Sequence, residues 1–293
     1  MSDDQCPEDH GTGGVVGGRF MTISSLRKQM LPDGLVLDFH VHPLHCFGPY
    51  TVASVEEDVQ RLTASAGRSG VTKMCVFSLC PSTPYEPTPD QCREANDYVL
   101  AMRDKAPEIF IPFCYVTPAY PDEAVAEIDR CVRGAQMAGI KLWVARRATD
   151  AGLDPIMVQA VQLDVPVLQH AWLKTTGNLP GESTPCDVAD LARRHPDARI
   201  IMAHLNGAGF RGIEAIVDVP NVVIDTSGGD PESGMVEAAV ARLGPDRVVY
   251  GSDAPIRHFG VSINKVTGAE IPVEVKRAIL WDNAAGLLKM DTR

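Results

Sequence analysis

His40 and His42 stand two residues apart near the end of an apolar segment at residues 35–42. Side chains two positions apart on a β-strand point to the same face, so a strand here would present both imidazoles together. Imidazole nitrogens are common ligands of Zn²⁺ and similar divalent ions. A single HxH pair also arises by chance or through packing, so a metal site requires further ligands elsewhere in the chain.

Three more ionisable side chains end later apolar segments in the same way, namely His170, His204 and Asp253. Burying such groups at the ends of apolar strands is costly unless they are paired or bound to metal. Packing alone does not explain why separate segments share this ending. The sequence therefore predicts a polar cluster where these segment ends meet, with the composition of a metal-dependent active site.

The elements that carry these residues follow a regular alternation. Short apolar runs rich in Val, Ile and Phe, typical of parallel strands covered on both faces, alternate with longer segments of helical period. This alternation predicts a (β/α)8 TIM barrel, with an open doubly wound sheet as the alternative because periodicity does not reveal closure. The predicted strands are residues 35–42, 73–80, 110–116, 139–144, 165–171, 199–205, 221–227 and 247–253.

The connections between these segments differ in length at the two ends of the predicted strands. Segments leading into strands are short, whereas residues 81–90, 172–186 and 254–271 form long connections after strands. The last amphipathic segment, residues 272–288, would close the barrel as its eighth helix. Long loops within a domain are usually functional, and barrel enzymes keep their active sites at the C-terminal ends of the strands. We therefore expect the active site at that end.

The charge of the chain excludes several classes of partner. Its 27 Lys and Arg against 38 Asp and Glu give a net charge of −11, which disfavours nucleic acids and anionic membranes. No apolar stretch approaches the roughly 18 residues of a membrane span, and the first residues do not resemble a signal peptide. We expect a cytoplasmic protein with free thiols and a small-molecule substrate, while homo-oligomerisation stays open.

Residues 1–22 differ in composition from the rest of the chain. They are acidic and glycine-rich without an apolar period, which predicts a flexible, disordered leader before a single barrel domain at residues 23–293. Within the leader, GTGGVVGG at 11–18 is similar to a dinucleotide-binding turn. The polar residues before it cannot form the buried strand that such a turn requires, so we assign it no cofactor.

From about residue 35 onward, the chain resembles the amidohydrolase superfamily, in particular its amidohydrolase-related group, which includes the aminocarboxymuconate-semialdehyde decarboxylase-like enzymes. Each matching motif is weak alone, whereas their order and spacing together are specific. The motifs are DFHVH at 38–42, GIKLW at 139–143, LQHAW at 168–172, MAHLNG at 202–207, YGSDAP at 250–255 and ILWDNAAGLL at 279–288.

The resemblance implies a role for each strand-end residue. It implies that His40, His42, His170 and Asp253 bind one divalent ion, and that Asp253 also moves protons. His204 would face the metal-bound water or the substrate oxygen, so Asp253 and His204 are the expected catalytic residues. Three imidazoles and a carboxylate suit Zn²⁺, with Mn²⁺ as the alternative.

Other residues are candidates for substrate contact. Some members of the superfamily carry a carboxylated lysine at the end of the fourth strand, the position of Lys141 here. We favour a single metal ion, with an uncarboxylated Lys141 that pairs with an acidic group or touches substrate. Arg146, Trp172, Arg257 and His258 on the predicted mouth loops are further candidates.

Two reactions fit this set of residues. The first is hydrolysis of an amide, lactone or related C–N or C–O bond by metal-activated water. The alternative is nonoxidative decarboxylation of a small unsaturated or aromatic acid, with Asp253 protonating the carbon that loses CO₂. A barrel that binds without catalysis is disfavoured because every candidate ligand is retained. The compact length of the chain favours the hydrolase.

Overall fold

The computed structural model of the protein describes residues 31–47, 50–229 and 232–290. The predicted leader, residues 1–22, and its glycine-rich segment lie outside this part of the chain. The residues from Asp33 onward form one compact unit. The proposed domain boundary between residues 22 and 23 therefore stays a prediction.

All eight predicted strands are present as one parallel sheet in chain order, which confirms the (β/α)8 barrel. Hydrogen bonds join the last strand region to the first, since the Phe39 N–H donates to the Tyr250 carbonyl at 2.9 Å and the His42 N–H to the Ala254 carbonyl at 2.7 Å. An open sheet is thereby excluded. The strands are β1 Leu37–Val41, β2 Lys73–Val76, β3 Phe110–Tyr115, β4 Gly139–Leu142, β5 Val167–Gln169, β6 Ile200–Met202, β7 Val222–Asp225 and β8 Val248–Val249.

Helices follow the strands as the amphipathic segments predicted. Several begin at capping side chains, and Thr88 and Thr184 each form a reciprocal capping box with the third helical residue. None of the described helices is long and apolar enough to cross a membrane. The helices are α1 Val55–Arg68, α2 Pro89–Lys105, α3 Pro121–Ile128, α4 Asp154–Gln162, α5 Pro185–Arg194, α6 Leu205–Ile216, α7 Met235–Leu243, α8 Phe259–Thr267, α9 Val273–Arg277 and α10 Asn283–Leu287.

Two segments differ from the sequence expectation. The connection at 254–271 is not a long irregular loop, because α8 occupies its middle and begins where the His258 ring accepts the Gly260 N–H. The predicted closing helix, residues 272–288, consists of α9, a π-helical turn at Ala278–Asp282 and α10. Periodicity over this length does not distinguish π from α hydrogen bonding.

Apolar side chains form two layers that fix which residues face the barrel interior. Along β4, Ile140 and Leu142 join the cluster between strands and helices, so Lys141 points the opposite way. On β1 the register with β2 shifts between Asp38 and Val41. This irregularity allows Phe39 to join the interior cluster while His40 and His42 both line the cavity above it.

Candidate metal centre

His40, His42 and Asp253 meet at the C-terminal ends of β1 and β8. The Asp253 Oδ1 atom lies 3.6 Å from His40 Nε2 and 3.4 Å from His42 Nε2. Two ligands bound to a tetrahedral Zn²⁺ lie about 3.4 Å apart, so these separations suit a shared ion. All three side chains are buried, and their ligand atoms lie within 4.8 Å of one another. The residues present therefore fit the divalent ion that the resemblance implies.

Hydrogen bonds behind the two imidazoles orient them towards Asp253. His42 Nδ1 lies 3.1 Å from the Phe77 carbonyl oxygen, and His40 Nδ1 lies 2.8 Å from Asp225 Oδ2. Both partners accept hydrogen bonds, which assigns the proton to Nδ1 and leaves the Nε2 lone pair for a metal. Burial lowers the pKa of both histidines, so the rings are neutral as metal binding requires.

Asp225, which the sequence analysis missed, organises the back of the site. Its carboxylate accepts the backbone N–H groups of His204 and Ser227, each at 2.9 Å, in addition to the His40 ring. His40, His204 and Asp225 also lie close enough together to suggest an ion site. We assign Asp225 to orientation instead, because these hydrogen bonds already use its oxygens. The sequence signal that could have identified Asp225 is its position at the end of β7.

His170 lines the same cavity, but both of its ring nitrogens have partners. Nδ1 lies 3.1 Å from His204 Nε2, and Nε2 lies 2.9 Å from Glu182 Oε1. Among the described residues, neither group that could hold an ion includes His170. Its role as a metal ligand therefore stays a prediction, and coordination would require it to exchange one of these partners.

Glu182 is a second site residue that the sequence analysis missed. It lies on the loop after β5 and accepts hydrogen bonds from Lys174 Nζ at 2.8 and 2.9 Å and from the Leu179 N–H at 2.8 Å. Burial would raise its pKa, but the bonds from His170 and Lys174 lower it to about 2. Nothing in the loop sequence distinguishes this ionised glutamate from a surface residue.

The two expected catalytic residues have unusual backbone conformations. His204 has φ 75° and Asp253 has φ 64°, in the left-handed region that non-glycine residues rarely adopt. Such conformations persist where the surroundings impose them, often at functional sites. Burial would raise the pKa of Asp253, but its contact with His42 and the nearby charges lower it, so the carboxylate is ionised. The His204 Nδ1 atom lies 2.8 Å from Ser227 Oγ.

A cavity of about 360 Å³ opens over this cluster. A neighbouring cavity of about 470 Å³ shares Ile256 and Arg257 with it but contains none of the candidate metal ligands, so the smaller cavity is the candidate active site. The smaller cavity combines aromatic with cationic side chains. Its aromatic residues are Phe47, Tyr85, Trp143 and Trp172, and its cations are Lys141, Lys174 and Arg257.

The remaining candidates from the sequence divide into two groups. Lys141, Trp172 and Arg257 line the cavity. Arg146 pairs with Glu86 at 2.8 Å and lies outside the cavity lining. His258 lines the neighbouring cavity and caps α8. Substrate contact by Arg146 and His258 stays a prediction without support from these positions.

Comparisons with known proteins agree with the fold. A gamma-resorcylate decarboxylase from Rhodococcus jostii (strain RHA1) is 23% identical over 256 residues, covering 69% of this chain and 77% of that protein. The 2,6-dihydroxybenzoate decarboxylase from Rhizobium has a TM-score of 0.69 at 17% identity, covering 87% of this chain and 98% of that chain. A dihydroxybenzoic acid decarboxylase from Polaromonas sp. JS666, solved with manganese and 2-nitroresorcinol, has a TM-score of 0.67 at 17% identity, with coverage of 87% and 97%.

The family model described as amidohydrolase matches residues 82–290. That segment contains Lys141, His170, His204 and Asp253, while the HxH pair precedes it. The match covers well over half of the chain, and the eight-stranded barrel agrees with it. The chain belongs to the amidohydrolase family.

Proposed function

We propose that the protein is a metal-dependent, nonoxidative decarboxylase of small hydroxylated aromatic acids. The observation that carries this proposal is the cavity over His40, His42 and Asp253, which combines aromatic walls with cations. Aromatic side chains suit a planar ring, and cations suit its carboxylate. The named decarboxylases favour this reaction over the hydrolysis that the compact length favoured.

One divalent ion per chain belongs to this proposal. His40, His42 and Asp253 would hold it, with His170 as the further ligand implied by the resemblance. Imidazole and carboxylate donors accept both Zn²⁺ and Mn²⁺, and manganese is present in the Polaromonas decarboxylase structure. Such an ion supplies Lewis acidity that polarises the oxygen atoms of a bound substrate.

Asp253 is the proposed proton carrier. Its ionised carboxylate takes the proton of a substrate ring hydroxyl and delivers it to the ring carbon that bears the carboxylate. The bond between that carbon and the carboxylate then breaks, its electron pair returns to the ring, and CO₂ leaves. The product is the arene with one deprotonated hydroxyl, so atoms and charge balance.

His204 and Trp172 would position the substrate during this transfer. The Trp172 and His204 ring centroids lie 4.9 Å apart, and both side chains line the cavity over His40, His42 and Asp253. His204 is held from behind by Ser227 and can direct its other nitrogen towards a substrate oxygen if it releases His170. The aromatic wall excludes water from the carbon that is protonated.

The test is a product assay on the metal-loaded protein. Aromatic acids, beginning with 2,6-dihydroxybenzoate, are incubated alongside lactones and amides, and CO₂ and proton release are measured separately. We expect CO₂ and the corresponding arene from at least one hydroxylated aromatic acid. Turnover of a lactone or amide without CO₂ from any acid would restore the hydrolase and contradict the proposal.

A further inference from the structure

Lys141 is a cation that the chain buries in the cavity without a hydrogen-bonding partner. It lies on β4, and its side chain is 1% exposed. Within the described part of the chain its Nζ atom has no hydrogen bond, and it lies over the Phe77 ring, 4.8 Å from the centroid. A buried ammonium group is costly unless an anion or acceptor compensates it. Among the described residues, no hydrogen-bond acceptor compensates the buried ammonium group of Lys141.

The other lysine in the cavity, Lys174, differs from Lys141 because a carboxylate compensates its charge. Lys174 Nζ contacts both carboxylate oxygens of Glu182, so its charge is already neutralised within the protein. Asp225 and Asp253 attract Lys141 through space without hydrogen bonding to it. Burial lowers the pKa of Lys141 to about 8, so the amine still carries its charge at neutral pH.

Attraction to Asp225 and Asp253 alone does not account for the burial of the Lys141 ammonium group. Asp225 is occupied by the His40 ring and by the backbone of His204 and Ser227. Asp253 faces the imidazoles of His40 and His42. Within the described part of the chain, Lys141 Nζ therefore donates a hydrogen bond to neither carboxylate, although both attract it.

We propose that Lys141 binds the carboxylate group of the substrate and thereby selects aromatic acids over their decarboxylated products, which lack that group. This inference rests on the proposed function, because it takes the anion to be the group that decarboxylation removes. A charge-assisted hydrogen bond to a buried ammonium group is strong and directional. This hydrogen bond is lost when CO₂ leaves, so the product binds more weakly than the substrate and is released more readily.

Calorimetric binding to metal-loaded protein tests the role of Lys141 independently of turnover. The probes are benzoate and 2,6-dimethoxybenzoate, two acids without the ring hydroxyl that supplies the transferred proton, and resorcinol as the analogue without a carboxylate. In the Lys141→Met variant we expect acid affinity to fall by about 10- to 100-fold, the range for a hydrogen bond to a charged group. Resorcinol affinity should change by less than about twofold, since it lacks the anion.

Lys73→Met is the matched control. Lys73 begins β2 at the opposite end of the barrel and contacts the Glu108 carbonyl, so this variant removes the same charge far from the cavity. It should bind every probe as the wild type does. If both variants lowered acid affinity equally, the net charge of the protein would explain the effect, and the proposal would be overturned.

The remaining outcomes separate this inference from the proposed function. Unchanged acid affinity in Lys141→Met overturns the role of Lys141 even if the wild type releases CO₂. Acid binding that depends on Lys141 without any CO₂ release supports this role and contradicts the decarboxylase. Two ions per chain, with activity that depends on added bicarbonate, would make Lys141 a bridging carbamate and overturn the proposal. Failure of the wild type to bind any of these acids contradicts both.

Discussion

At the scale of single residues, Asp253 is the side chain to which we assign both a place in the proposed ion site and the proposed proton transfer. Its carboxylate faces both imidazoles of the HxH pair, and its backbone N–H donates to the His40 carbonyl at 2.9 Å, which fixes its place at the end of the barrel. Under these two proposed roles, substitution of Asp253 should affect both metal content and turnover. Substitutions that preserve its shape are needed to separate the two effects.

We expect Asp253→Asn to retain part of the metal and to lose turnover by about 100-fold or more, because an amide oxygen can still bind weakly but cannot carry the proton. His40→Ala, which removes a ligand, should lose metal and activity together. Bound metal, melting temperature and turnover are measured on the same preparations. Near-normal turnover of Asp253→Asn would refute the proton-carrier role.

Asp225 orients His40, so its substitution should act on metal affinity. In Asp225→Asn, an amide N–H₂ or a weaker oxygen replaces the acceptor of the His40 Nδ1–H. We expect metal affinity to fall by about 10- to 100-fold, as when a carboxylate behind a metal-bound histidine is removed. Competition with a metal chelator measures this change. Exposed Asp246→Asn alters the charge equally and should leave affinity unchanged, whereas equal affinity in all three proteins would contradict the orienting role.

His45, in the turn that follows β1, is mostly buried. Its ring centroid lies 3.7 Å from that of Tyr98 with the two planes tilted by 35°, and Nδ1 lies 3.6 Å from Asp58 Oδ2. Burial alone would lower the pKa of His45, but Asp58 and Cys46 raise it to about 9. The charged imidazole therefore stabilises the folded chain fully below its ordinary pKa of 6.5, and this stabilisation is lost as pH rises through 9.

We expect His45→Gln to melt several degrees below the wild type near pH 6, with the difference shrinking by pH 10. Thermal melts across this range provide the measurement. In an Asp58→Asn background, the pH dependence of the His45→Gln effect should largely disappear, because the carboxylate that raises the pKa is gone. A melting difference that does not vary with pH would show that His45 contributes only packing.

At the scale of elements, the site is assembled from strand ends, from the loop after β5 and from the first turn of α6, which packs against that loop. Trp172 follows β5, and Gly207 lies in the first turn of α6. A Cβ atom on Gly207 would lie 2.7–2.9 Å from atoms of the Trp172 indole. The absence of a side chain at Gly207 thus allows Trp172 to pack beside His204.

Gly207→Ala should displace Trp172 and lower kcat/KM for an aromatic acid by about tenfold or more, because small displacements of positioning groups are costly. Gly67→Ala on α1 is the control, since nothing lies within 4 Å of its added Cβ and alanine is favoured in helices. Kinetics and melting temperature are compared for both variants. Unchanged kinetics in Gly207→Ala would remove Trp172 from the positioning role.

At the scale of the whole molecule, metal binding should couple to folding. The cluster joins β1 to β8, the two strands that close the barrel, so an ion bound there stabilises the closed form. We expect about one divalent ion per chain by elemental analysis, and a lower melting temperature after chelation. Less than about a tenth of an equivalent after supplementation with Zn²⁺ and Mn²⁺ would contradict the single-ion site.

The sequence by itself determined the eight strands and the end of the barrel that carries the site. Strand residues are specified by local apolar runs, and β1, β4, β6 and β8 appear where those runs occur. His40, His42, His204 and Asp253 were identified because each breaks an apolar run at its end. Such signals are local in the sequence, so they can be recognised without knowledge of the fold.

Only the tertiary structure decided which partners these residues have. His40 and Asp225 lie 185 positions apart in the chain and meet because the barrel closes. Glu182 binds His170 from an irregular loop, whose conformation has no periodic signature. The isolation of the Lys141 ammonium likewise depends on what surrounds it from other strands. Hydrogen-bonding and charge compensation are properties of three-dimensional neighbours, which a pattern along one strand does not specify.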